Sequence, residues 1–267
     1  MEIIKNNRDV EELTENKIIG RPLLSNSRIV FHGQNNILYC DNNISLNNVI
    51  LTFNGNNSLI YICSNITNPL NLDIYHNSTV YIGKDVLMGH SIVINVQENQ
   101  NLIIGDDCMI GNQVNIFTSD YYPIYNSTNK KRINHSSSVY IGDHVWIGRY
   151  AYISKGNKIG SGSILADKTF LPAYQKIKSN QYLIGNPAKI FKKDVFFIKD
   201  FVGNNKPDDS LNSQNYVSDV FIYKFTKQET LDLDKIDKII KELSLTDRID
   251  FIQKLFIKNK RINRFAI

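Results

Sequence analysis

An aliphatic residue returns every six positions over most of this chain, and few folds tolerate such a period. Leu38, Ile44 and Ile50 form a first triplet, Ile60, Ile66 and Leu72 a second, Ile82, Met88 and Ile94 a third, and Ile104, Ile110 and Ile116 a fourth. These triplets start 22 residues apart. The period stops after Ile116 and resumes at Ile141, Ile147 and Ile153, then Ile159, Leu165 and Leu171, without insertion between triplets. On a 3.6-residue helix such a position drifts around the axis, so an amphipathic helix or a heptad is excluded. Three hexapeptides can each supply one flat side and one corner of a triangular coil, with the aliphatic residue pointing into the prism. Stacked coils then pair their sides as parallel strands and align the aliphatic residues in columns. The competing reading is an antiparallel sandwich of short strands, which has no reason to keep one six-residue register.

Between the early triplets lie Asn54-Gly55-Asn56-Asn57, His76-Asn77-Ser78 and Glu98-Asn99-Gln100-Asn101, all turn formers. The length of 267 residues, 42% apolar and 21% charged, suits one large domain with an appendage and excludes a disordered, collagen-like or disulfide-framework class. No stretch approaches the roughly 20 apolar residues of a membrane span. Residues 1–12 carry Glu2, Asp9, Glu11 and Glu12 where a secretory signal needs a basic start and an apolar run, so a cytoplasmic location is expected. Cys40, Cys63 and Cys108 are odd in number and lack CxxC spacing, which predicts buried free thiols. His32, His76 and His90 have no partner at metal-ligand spacing, so no metal is expected. A net charge of +5 is compatible with an acidic partner and falls short of the dense patches of a nucleic-acid binder.

The segment Ile141-Gly142-Asp143-His144-Val145-Trp146-Ile147-Gly148 resembles the hexapeptide-repeat acyltransferases, whose fold is a left-handed parallel β-helix. The likeness extends through Ser119 to Tyr125, Arg132 to His135 and Gly185 to Lys189, and is greatest to bacterial capsule and surface-polysaccharide O-acetyltransferases, including those that modify sialic acid polymers. It is close over about 82–193; the earlier coils fit by period alone, and the last seventy or so residues do not fit. The resemblance implies acetyl transfer from acetyl-CoA to a sugar hydroxyl, without a metal, in sites shared between neighbouring subunits of a homotrimer. The expected division is an N-terminal segment 1–29, an all-β left-handed β-helix over 30–194 with a loop excursion at 118–138, and a small mixed or helical extension over 195–267.

In relatives the loop carries a histidine just before its proline, acting as general base; here that position is Tyr122, while Asp120 and Pro123 keep the pattern. A neutral imidazole with pKa near 6.5 accepts a proton at neutral pH, whereas a phenol of pKa about 10 is already protonated. Three readings stay open: His135 in the same loop replaces the base, Tyr122 donates a hydrogen bond to a slower reaction, or the chain is a noncatalytic binding or assembly protein. Trp146 sits next to an inward residue and so faces outward; the resemblance makes it part of the substrate channel, and the bland reading is a cover for a coil joint. For acetyl-CoA the resemblance points to Arg149, Tyr150 and Ala166 along the late coils and to Lys189 and Lys192 near the phosphates, against a reading of both lysines as a solvated turn. His144 is read as structural, through an outward corner hydrogen bond.

Beyond Asp194 the repeat ends. Residues 196–223 suggest aromatic strands around a turn rich in Asn, Pro and Asp. Ile236, Ile239, Ile240 and Leu243 stand at helical spacing, and a second helix is expected after Thr246 as N-cap, with Ile249, Ile252 and Phe256 on one face and a basic end at Lys258 to Arg264. This extension has three candidate roles: a cap on the open end of the coil, a dock for a partner, or a collector of acidic polysaccharide.

Overall fold

The computed structural model describes residues 1–6, 8–41, 43–204 and 215–267. The chain winds as a left-handed parallel β-helix of about 8 turns. Each turn contributes, in chain order, a strand to face I, face II and face III of a triangular prism. Face I is an eight-stranded sheet running from Lys17–Ile19 through Ile37–Cys40, Leu59–Ile62, Thr79–Ile82, Asn101–Ile104, Val139–Ile141 and Lys158–Ile159 to Lys176–Ile177. Face II runs from Leu87–Met88 through Met109–Ile110, Trp146–Ile147 and Ile164–Leu165 to Gln181–Ile184, and is closed by the antiparallel strand Lys189–Lys193. Face III opens with Glu2–Ile4 lying antiparallel to Arg28–Phe31 and ends at Phe170–Leu171.

The aliphatic positions of the repeat are buried in one continuous core, with the exception of Ile50, which is half-buried. The five-residue strand Val49–Phe53 turns Val49, Leu51 and Phe53 inward, and Leu51 pairs with Leu72. The corner after Leu46 is one residue shorter than the one above it: Leu46 pairs with Ile66 and Leu51 with Leu72, so five residues stand where the next coil has six, and the parity of that side shifts. The coils also differ in length: Ile60 pairs with Val80, and Ile62 with Ile82, so that coil is two residues shorter than the 22-residue step from Leu38 to Ile60. The core keeps its columns because residues two apart on a strand share a face. Parallel pairing also begins at Lys17, ahead of the boundary expected near residue 30. Ile18 stands in register with Leu38, and Leu24 with Leu46.

Asparagine fits the corners physically. Asn26, Asn35, Asn43, Asn48, Asn57 and Asn77 all hold positive φ, which an Asn tolerates better than other non-glycine residues. Stacked corner amides bond one another, Asn35 Nδ2 donating to Asn57 Oδ1 at 2.6 Å and Asn57 Nδ2 to Asn77 Oδ1 at 3.3 Å. Between faces I and II, glycines hold the coils close. A Cβ on Gly105 would lie 2.7 Å from the Gly142 carbonyl carbon and 2.5 Å from Asp143 Oδ1. Gly105→Ala is therefore expected to destabilise the fold by about 1–3 kcal/mol through overpacking, read as a lower midpoint in urea with an unchanged slope.

The extension forms helix α1, Leu233–Glu242, and helix α2, Leu245–Ile252, followed by a π turn at Gln253–Ile257. Helix α2 starts two residues earlier than expected: Ser244, not Thr246, is the N-cap, accepting the Asp247 N–H while its hydroxyl donates to the Asp247 carboxylate at 2.6 Å. Over 196–223 the described residues contain no strand, only a short 3₁₀ turn at Val202–Asn204; most of the polar turn expected there lies outside the described residues. The helices do not cap the open end. They lie along the outer side of face I, where Ile236, Ile240, Ile249, Ile252, Phe256 and Phe265 pack on Ile37, Leu59, Tyr61, Tyr81, Ile103 and Tyr140. Arg264 does not end a helix; it is buried and paired with Asp143 at 2.7 Å and Asp106 at 2.8 Å between faces I and II. All three cysteines are free, Cys40 and Cys108 buried and Cys63 half-buried. Burial pushes the Cys40 thiol up to about 12. No helix among the described residues is long and apolar enough to cross a membrane.

Candidate active site

The excursion at 118–138 leaves the corner between faces III and I and folds back as a short hairpin, with Tyr125 bridged to Arg132 and the Ile133 N–H donating to the Ile124 carbonyl at 2.9 Å. Its base is a polar knot. Lys155, 4% exposed, donates to Asp120 Oδ2 and, at 3.1 Å, to the Asn134 carbonyl. Asn134 Nδ2 donates to Asp120 Oδ2 at 2.9 Å and to the Tyr122 carbonyl at 2.8 Å, while its Oδ1 accepts the Ile124 N–H at 2.7 Å. Burial pushes the Asp120 carboxyl up, and the hydrogen bonds from Lys155 and Asn134 outweigh that and hold it below its ordinary value. The backbone on both sides of Tyr122 is thus fixed while its side chain stays 80% exposed. His135 is exposed at the same corner, its carbonyl taking the Tyr174 hydroxyl at 2.7 Å.

Arg132 is not a free cation of the loop. Its guanidinium grips Glu98 at 2.7 and 2.9 Å, and Ser136 donates to the same carboxylate at 2.5 Å. The Arg132 bond, followed by that of Ser136, lowers Glu98 to about 2. A carboxyl held below its free value of 4.5 contributes its full stabilisation above about pH 4.5 and loses it as the pH falls toward 2. An NMR titration of Glu98 should therefore show a midpoint near 2, with the loop amides losing exchange protection over the same window. A midpoint near 4.5 would remove this clamp.

Trp146 lies on face II, which the triangular section places opposite the corner that carries the loop. Register sets a column of outward residues there: Leu87, Met109, Trp146, Ile164, Tyr182 and Lys192. The first three line an open groove of about 490 Å³ with Asn112, Arg149 and Asp167. Arg149 is bound to Asp167 through Nε at 2.9 Å and Nη2 at 2.7 Å, and Asp167 also accepts the Arg149 N–H at 2.8 Å. Tyr150 is 53% exposed at the corner between faces II and III, in the left-handed region. Ala166 is half-buried at the same edge, and Lys189 and Lys192 are exposed on the closing strand. Arg149, Tyr150, Ala166, Trp146 and the two lysines thus share face II and its edge. Tyr122, Asp120 and His135 share the opposite corner, and within one chain the two groups do not meet.

His144 is held as a corner post, its Nδ1 against Asp107 Oδ2 at 2.5 Å and its Nε2 against the Phe197 carbonyl at 2.9 Å. Its ring is stacked between Phe197 and Phe221. Sequence reasoning missed Lys155, Asn134 and Glu98 as anchors of the loop. The available signal was Lys155 itself, a lysine two residues after inward Ile153 at a tight corner.

No family model matches the chain. Polysialic acid O-acetyltransferases from Neisseria meningitidis and Escherichia coli O1:K1 are 32% and 31% identical over 85 and 81 residues, 32% and 30% of this chain. The matches span 29% and 26% of the length of those relatives. The crystal structure of the polySia specific acetyltransferase NeuO superposes with a TM-score of 0.63 at 29% identity, covering 75% of this chain and 87% of that one. The polysialic acid O-acetyltransferase OatWY gives 0.58 at 26% identity, covering 74% and 99%. The chain thus has the β-helix fold of these two structures, and part of its sequence is similar to the polysialic acid O-acetyltransferases.

Proposed function

We propose that this chain is an acetyl-CoA-dependent O-acetyltransferase acting on an acidic capsular or surface polysaccharide, with polysialic acid the first acceptor to test. The observation that carries this reading is its similarity, over three quarters of the chain, to two polysialic acid acetyltransferase structures. The division of the candidate residues between a corner and the opposite face supports a closed homotrimer. In such a ring each loop meets the groove of the next copy, and each site draws on two subunits. Acetyl-CoA would lie along face II, its phosphates toward Lys189 and Lys192, its acetyl end near Trp146, with Arg149, Tyr150 and Ala166 at the edge. The acceptor hydroxyl would be held by the neighbouring loop. Its oxygen attacks the thioester carbonyl, its proton leaves to a base, the tetrahedral oxyanion is stabilised by N–H donors, and the departing thiolate takes up a proton. The coenzyme's cellular pool argues for a cytoplasmic location.

The test is transfer of label from radioactive acetyl-CoA to a sialic acid polymer, with light scattering to weigh the particle. Labelled polymer and a trimer mass are the expected results. A monomer at micromolar concentration overturns the shared site, and failure to bind CoA at millimolar concentration favours a noncatalytic binding protein.

A further inference from the structure

Where the extension meets the last coils, a cleft of about 290 Å³ is walled by Lys158 and Lys176 of face I, by Phe225, Lys227 and Thr230, and by Asp234 of helix α1. A second cleft adjoins it and shares Lys176 and Phe225 as walls, adding Lys178. Phe225 is 65% exposed between them. Lys158 is paired with Asp234, but among the described residues Lys176, Lys178 and Lys227 have no carboxylate at ion-pair distance. Asp232, also in the wall, is engaged as the N-cap of α1, accepting the Lys235 N–H at 3.1 Å.

The two clefts on either side of one ring set ammonium groups around a flat apolar surface, with Thr230 and Asp234 as hydrogen-bonding neighbours. That combination suits a pyranose ring bearing a carboxylate: the apolar sugar face lies on Phe225, the carboxylate on the lysines, and the hydroxyls on Thr230 and Asp234. A paired cleft also suits consecutive residues of a polymer better than a single compact ligand. The clefts adjoin the loop corner as well. Lys176 follows Tyr174 by two residues, and the Tyr174 hydroxyl is the one bonded to the His135 carbonyl.

We infer that this pair of clefts is a docking subsite for an acidic polysaccharide, holding acceptor residues remote from the transferred acetyl group. The inference rests on the acidic-acceptor reading above and adds to it a site outside the transfer chemistry. Its test uses the full chain, a long sialic acid polymer and a short sialic acid oligomer, with binding followed by calorimetry in the absence of acetyl-CoA. The variant Lys176→Ala/Lys178→Ala/Lys227→Ala should weaken polymer binding about tenfold at low salt and less at high salt. Phe225→Ala should weaken it several-fold at either salt, and the thermal midpoint should not move because these side chains are exposed. Short-oligomer turnover should be unchanged in both variants. Polymer binding unchanged in the folded triple variant overturns the subsite, as does a parent chain that binds no polymer. Displacement of the polymer by adenosine 3′,5′-bisphosphate overturns it in favour of a nucleotide site. Because binding is read without turnover, a parent that binds polymer through these lysines but transfers no acetyl group separates failure of the enzyme reading from failure of the subsite.

Discussion

Replacing Tyr122 with histidine is expected to raise the rate of acetyl transfer by about tenfold or more, the low end of what a general base contributes. The reason lies in how the loop is built. The Tyr122 N–H already donates to the Asp120 carbonyl at 2.8 Å and its own carbonyl is held by Asn134, so an imidazole placed there needs no further ordering of the backbone. Since the side chain is 80% exposed, the substitution should leave stability within about 0.5 kcal/mol. The gain belongs in kcat rather than in CoA affinity, because a base on the acceptor hydroxyl makes no contact with the coenzyme. Steady-state kinetics of the two proteins decide it. A parent that is already fast and is abolished by His135→Ala shows that the exposed imidazole at the same corner has taken over the proton. Inert proteins on both sides, with CoA bound, move the weight to a noncatalytic role.

The largest expected loss of stability is at Arg264. Its guanidinium, 4% exposed, bonds Asp143 twice, at 2.8 and 2.7 Å, and Asp106 at 2.8 Å, and it also reaches the Asn259 carbonyl at 3.1 Å and that of Phe256. Burial, joined by the charge of Asp106, pushes the Asp143 carboxyl above its ordinary value even with the arginine in place. Arg264→Ala strips the partner from a carboxylate that is only 13% exposed, and breaking a largely buried pair of this kind costs about 3–5 kcal/mol. Urea unfolding monitored by circular dichroism should show that loss as a lower midpoint. A change below about 1 kcal/mol would mean that the aspartates relax toward solvent.

The inward columns were legible because burial inside a narrow prism leaves little choice of side chain: Ile104, Ile110 and Ile116 could hardly be anything but aliphatic. What the period could not reveal was a short corner. Leu46 pairs with Ile66 and Leu51 with Leu72, so the step that takes six residues in one coil takes five in the coil before it, and a six-residue count lands on Ile50, which faces away. The destination of the extension was harder to read for a related reason. Tyr61, Tyr81 and Tyr140 sit beside inward positions and so face outward, and only as a stacked column do they announce that face I is covered. Trp146 could be assigned to the outer surface from its neighbour Ile147. Lys155 could not be assigned to Asp120, because the two meet only once the loop has folded back across 35 residues of chain.

The cover on face I changes how the molecule should come apart. A solenoid in which each turn touches only its neighbours loses its terminal turns one by one, since no single event couples distant turns. Here the residues after 233 rest on side chains spread from Ile37 to Tyr140, and Arg264 ties the far end of that arm to Asp106 and Asp143. A turn cannot fray without stripping the arm from the turns beside it, so the free energy of the early coils is shared with that of the late ones. Unfolding should therefore be a single cooperative event, and cutting the chain between the coil and α1 should convert it into a gradual one.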